Sequence, residues 1–212
     1  MASLSPELFL HRAGRAVASR PIKGTIRRRS LEAETHRRLL QASAKDRAEN
    51  VMITDLVRND LGRVCVPGSI KVPSLARPEA HPGVWHLVTT VTGTLREEID
   101  NAALLRATFP PGSVTGAPKI RAMELIAELE SSAREAYTGA IGYSSPLAGL
   151  ELNVAIRTFE ISGGRVWLGA GGGIVADSDP RAELEECFTK AAPLIEAASA
   201  RPFEPAAHLV RA

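Results

Sequence analysis

From Leu150 to Arg157 apolar residues alternate one for one with others. Leu150, Leu152, Val154 and Ile156 take one set of positions, and Glu151, Asn153, Ala155 and Arg157 take the other. A period of two sends successive side chains to opposite faces of a strand. The segment 150–161 therefore reads as a half-buried strand, with Arg157 on the face away from the core. Further strands are expected over 137–144, over the Val- and Thr-rich 84–95, and over 165–170, with an extended segment at 15–26 ending near Pro21. Helices are expected over 31–60 behind a Ser30 cap, continuous or broken once, over 97–107, from Pro118 to about Glu130, and from Asp179-Pro180 onward, with Pro193 ending or kinking the last. This order is not a repeating strand–helix–strand. It predicts an α+β fold with substantial antiparallel sheet.

Pro and Gly punctuate the 212 residues at short intervals, with no repeat and no linker. Residues 1–200 thus read as one unit and 201–212 as a tail. Lys plus Arg is 26 against 24 for Asp plus Glu, a net charge of +2, and aromatic residues are 4%. Nucleic-acid binding is not expected from that balance, and the run Arg27-Arg28-Arg29 reads as a solvated lead-in to a helix. No stretch approaches the ~18 apolar residues that span a bilayer. Met1 to Arg12 lacks the apolar centre of a signal peptide. Cys65 and Cys187 stand 122 positions apart, in no metal-ligand spacing, as expected of a reduced cytoplasmic chain.

Four groupings carry possible chemistry. Glu183, Glu186 and Lys190 form one stripe of the last helix, while Leu184, Phe188, Ala191 and Ile195 form a separate apolar stripe. Alone, the charged stripe also fits a solvated face. On the earlier helix Asp46 and Glu49 are three apart, and Glu49 falls among Met52, Ile53 and Leu56. A carboxylate held against a core costs several kcal/mol unless it is paired or binds a metal. Two such helices facing each other suit Mg2+ with open positions for water and substrate. The run Gly171-Gly172-Gly173 lets backbone amides approach an anion, or simply makes a tight strand exit. Gly112 to Lys119 at a helix start offers amides and hydroxyls to an anion, or a capped helix without ligand. Lys23, in Pro21-Ile22-Lys23-Gly24-Thr25, is either a surface lysine or a nucleophile tuned by burial and by a cation such as Arg20.

Taken in order, these segments resemble the chorismate-utilising enzymes, the family of anthranilate, aminodeoxychorismate, isochorismate and salicylate synthases. The resemblance runs from Ser5-Pro6-Glu7 to Lys190. It includes Lys45 to Asn50, Asp55 to Asp60, His86, Ser113 to Lys119, Tyr137 to Ala140, Ile156 to Thr158, and Glu183 onward. Lys23, and Asn50 after Glu49, are similar to the aminodeoxychorismate branch. The resemblance implies a layered chorismate-binding sandwich, two antiparallel sheets flanked by helices. Family chains carry a long portion before the Ser5-Pro6-Glu7 segment, so this chain is expected to be their C-terminal part and weakly active alone.

The resemblance also implies roles. Glu49 and Glu186 would ligate Mg2+, supported by Asp46 and Glu183. Tyr137, Arg157, Lys190 and the amides of Gly171, Gly172 and Gly173 would hold the carboxylates of chorismate. Lys23 would be the nucleophile, Glu7 the general acid, and His86 would stand by the ring. Thr25 and Ser113 would contact substrate, with Thr115 a weaker candidate. Ammonia would come from a glutamine amidotransferase partner, giving 4-amino-4-deoxychorismate. The alternatives are an anthranilate or isochorismate/salicylate synthase, or a non-catalytic remnant serving as a binding module.

Overall fold

The computed structural model describes residues 1–28, 32–81, 83–176 and 178–199. Ser30, Arg29 and the tail 201–212 lie outside the described residues. The chain builds two antiparallel sheets and five helices.

The larger sheet is organised around β6 (Val84–Thr94), which is long enough to pair with three neighbours. Along one edge it meets β4 (Ile22–Arg27) and then β3 (Ala16–Arg20); along the other it meets β5 (Lys71–His81). From β3 the sheet continues through β2 (Leu8–Ala13) and β8 (Gly149–Val154) to β7 (Ala140–Ser145). The smaller sheet joins β1 (Ala2–Ser3), β9 (Thr158–Ser162) and β10 (Arg165–Leu168). Helices α1 (Ala33–Ala42) and α2 (Ala44–Gly62) are separated at Ser43, whose hydroxyl accepts from the Asp46 amide and starts α2. Asp100 caps α3 (Asn101–Thr108) in the same way, through the amide of Ala103. A single 3-10 turn (Gly112–Val114) leads to α4 (Lys119–Leu129), with Pro118 one position ahead of it.

The core lies on one face of the large sheet. Leu10, Val17, Val91, Leu150 and Val154 of the sheet meet Ile53, Val57 and Leu61 of α2 and Leu104 of α3. Asn50 ties α2 to the centre of the sheet. Its amide donates to the Leu87 carbonyl (3.2 Å), its side-chain oxygen accepts from the Thr89 hydroxyl, and that hydroxyl accepts from the Ala76 amide (2.9 Å).

Several expectations need correction. Residues 150–161 are not one strand. β8 ends at Val154, the chain turns through Ile156 and Arg157, whose φ is 49°, and β9 begins at Thr158 in the other sheet. Arg157 thus sits in the crossing between sheets rather than on a strand face. β5 carries Pro73 and Pro78, which argue against a regular strand. It survives as an edge strand with register shifts and with Ala76 at φ 45°. Helix α5 (Pro180–Ser199) runs through Pro193 without ending there. Of its expected apolar stripe Leu184, Phe188 and Ile195 face outward, 57%, 66% and 54% exposed, whereas Ala191 is buried at 8% and Glu183 at 7%. Arg27 and Arg28 are exposed, as expected of a solvated run, and the Arg28 guanidinium also lies 5.6 Å from the centre of the Trp85 ring.

Leu61 is fully buried under the sheet. Leu61→Ala is expected to cost about 2–5 kcal/mol, read from urea unfolding midpoints, because the rigid sheet and α3 cannot collapse into the space.

Candidate active site

The site forms where β4, β6, α2 and α5 come together around Gly171 to Gly173. The glycines have a direct steric reason. A methyl group on Gly173 would stand 3.2 Å from Lys23 Nζ and 3.8 Å from Glu49 Oε2. One on Gly172 would stand 3.1 Å from Glu183 Oε2, and one on Gly171 would stand 2.8 Å from the Tyr137 hydroxyl. Residues from four separate segments therefore close on one stretch of bare backbone. Lys23 and Glu49, far apart in sequence, become neighbours.

On the acidic side, Glu183 Oε1 accepts from the Ser178 hydroxyl at 2.6 Å. Glu186 lies 2.5 Å from Lys190, which holds its carboxyl below the usual range, and Lys190 also reaches the Gly171 carbonyl at 3.4 Å. Asp46 is turned toward β4, where a methyl on Gly24 would stand 3.0 Å from its side chain. Among the described residues no three carboxylate, imidazole or thiol groups converge on one point. That arrangement still fits Mg2+, which binds through one or two carboxylates and keeps several waters. Glu49 and Glu183 together, with Glu186 beside them, are a hard, all-oxygen donor set of that kind.

Burial shifts two titratable groups toward their neutral forms. Burial raises the Glu7 carboxyl above its ordinary value, against the opposing hydroxyl of Ser113, the nearby Lys23 charge and the amide of Ile22. Burial, with the charges of Arg157 and His81, lowers His86 to about 4. His86 Nδ1 pairs with the Thr25 hydroxyl at 2.7 Å, and its Nε2 is buried with no partner. Arg157 is half-buried, and its guanidinium makes no ion pair or hydrogen bond among the described residues. A cation withdrawn from water without a partner is suited to an anionic ligand. Burial also raises the Tyr137 hydroxyl above its usual range. Thr115 turns its hydroxyl back to the Pro111 carbonyl at 3.0 Å, so it serves its own loop. Arg20, expected beside Lys23, is taken up by Glu79.

Three contributors escaped the sequence reading. Ser178 steadies Glu183. Lys45 stands between the acidic helices. Lys119 pairs with the Asp60 carboxylate and donates to the Thr108 carbonyl at 3.1 Å, closing the loop that delivers Ser113 to Glu7. Only Lys45, one helical turn before Glu49, had a visible local signal.

The profile of the chorismate-binding enzyme family matches residues 1–196, and the chain belongs to that family. It is 50% identical over 190 residues to aminodeoxychorismate synthase component 1 of Escherichia coli, covering 89% of this chain and 42% of that protein. It is 47% identical over 195 residues to anthranilate synthase component 1 of Streptomyces coelicolor, covering 91% and 38%. Anthranilate synthase component I from Streptococcus pneumoniae superposes with a TM-score of 0.82 at 38% identity, over 91% of this chain and 42% of that one. The chain thus spans less than half the length of these relatives and matches the C-terminal part of the aminodeoxychorismate synthase component. No helix among the described residues is long and apolar enough to cross a membrane.

Two measurements check this geometry. His86 contributes stability that is present above its unfolded value of about 6.5 and is lost as pH falls toward its folded value of about 4. The NMR titration of His86 should therefore show no protonation between pH 8 and 5. Lys119→Met should destabilise the fold by about 3–5 kcal/mol in urea titrations, because it strands the carboxylate of Asp60 in a largely buried place.

Proposed function

We propose that this chain is the catalytic part of an aminodeoxychorismate synthase component acting in the cytoplasm. It would convert chorismate and ammonia to 4-amino-4-deoxychorismate, the ammonia being supplied by a separate glutamine amidotransferase. The observation that carries the reading is Lys23. Its amine stands at the glycine run beside Glu49, with the buried acid Glu7 close enough for their charges to interact.

The roles follow from the chemistry of the substrate. Arg157, Tyr137, Lys190 and the glycine amides hold the two carboxylates. The Lys23 amine attacks ring C2, the ring π electrons shift toward C4, and the C4–O bond breaks. Glu7, protonated in its buried place, gives its proton to the departing hydroxyl, which leaves as water. Ammonia then bonds to C4, the electrons return, and the C2–N bond to Lys23 breaks. One substitution becomes two easier ones. A bound Mg2+, held by Glu49 with Glu183 and Glu186 and with Asp46 nearby, would supply Lewis-acid stabilisation of charge on the ring carboxylate. Neutral His86 lies against the site with Nε2 free, and Ser113 and Thr25 orient Glu7 and His86.

The 47% match to anthranilate synthase component 1 favours a second reading, release of pyruvate with formation of anthranilate. Incubation with chorismate, Mg2+ and ammonium decides between them. The expected product is 4-amino-4-deoxychorismate without pyruvate, and anthranilate with stoichiometric pyruvate would replace this reading. With chorismate but no ammonia, intact-protein mass spectrometry should show an adduct of chorismate less water. Lys23→Ala should lack the adduct and turn over about 100-fold or more slowly. An adduct that persists in Lys23→Ala would remove the lysine from its role.

A further inference from the structure

The carboxylates that face the glycine run already have a cation between them. Lys45 Nζ lies 3.9 Å from Glu49 Oε1 and 3.6 Å from Glu183 Oε1. Glu49 is one turn further along α2; Glu183 is on α5, 138 positions away in sequence from Lys45. The two acids are largely withdrawn from water, with side chains 15% and 9% exposed, whereas the Lys45 side chain is 58% exposed. Two carboxylates facing each other in a partly dry place repel, and a single ammonium between them relieves both. Ser178 donates to the same Glu183 oxygen at 2.6 Å, so that carboxylate keeps a protein partner whichever cation it holds. Lysine suits a removable counter-ion. Its charge rides on a flexible stem that can return to water without leaving a cavity or a buried unpaired group.

We propose that Lys45 is a built-in counter-ion that holds the α2 and α5 carboxylates together until a divalent cation takes its place and sends it into solvent. The inference rests on the reading of Glu49 and Glu183 as cation-binding groups and adds a competitor to it. An ammonium and a divalent cation cannot share the same two oxygens without bringing like charges into contact. The apparent affinity for the metal is then the intrinsic affinity reduced by the fraction of molecules in which Lys45 has left.

Calorimetric titration of the wild-type chain with MgCl2 or MnCl2, without substrate, tests this. Lys45→Ala should bind the metal about five- to tenfold more tightly, since the ammonium paired with both Glu49 and Glu183 is gone. Arg47→Ala removes an equal charge from the same exposed stretch of α2, where Arg47 makes no ion pair among the described residues. Arg47→Ala should stay within about twofold of wild type, as expected of a screened surface charge. Glu183→Gln should weaken binding, and circular dichroism melts establish that each variant folds. Equal or weaker binding by Lys45→Ala, with wild type binding and Glu183→Gln impaired, overturns the counter-ion role and leaves the metal site standing. An equal gain in both charge variants also overturns it, because it reduces the effect to general electrostatics. No binding by wild type or Lys45→Ala removes the metal reading itself, and the inference with it.

Discussion

The buried amide of Asn50 sets the frame on which the site depends. It fixes α2 to β6 through the Leu87 carbonyl and the Thr89 hydroxyl, with almost no water access. Glu49 precedes it on α2 and His86 precedes Leu87 on β6. One hydrogen-bonded node therefore sets both the Glu49 carboxylate and the His86 imidazole. A buried amide of this kind is costly when half satisfied, and here the carbonyl, the hydroxyl and the Ala76 amide complete the network. Asn50 had a family meaning in the sequence; the fold gives it a mechanical one.

Around this frame the electrostatics divide the site in two. On one side lie Glu49, Glu183 and Glu186, balanced by Lys45, Lys190 and the nearby Lys23. On the other, burial raises the Glu7 carboxyl and lowers His86 to about 4, and Arg157 has no counter-charge among the described residues. Tyr137, Lys23, Glu49 and Glu183 converge on the glycine run, where no further side chain can stand.

Much of the fold was readable where local signals were strong. Val84 to Thr94 is a strand because its Val and Thr content agrees with its place at the centre of a sheet. The break between α1 and α2 came where a serine could cap a new helix. The failures share a cause. Alternation continued from Leu150 past Arg157, yet the chain changed sheets there, and a period of two does not record which sheet a residue joins. In α5 Glu183 is inside while Leu184 and Phe188 are outside, because Glu183 has Ser178 and Lys45 as partners at the site. Hydrophobic pattern alone assigns the faces the other way.

The sequence by itself determined the chemical inventory: an amine at Lys23, acids at Glu7, Glu49, Glu183 and Glu186, a cation at Arg157, and glycines where backbone must be bare. It also determined the α+β class, since these follow from residue identity and local periodicity. Only the tertiary structure decided which groups meet and in what charge state. Lys23 against Gly173, Lys45 between two helices, and the closure of the Ser113 loop by Lys119 all depend on contacts across long sequence separations. The shifts of Glu7 and His86 toward their neutral forms depend on burial, which belongs to the packed fold and to no segment of it.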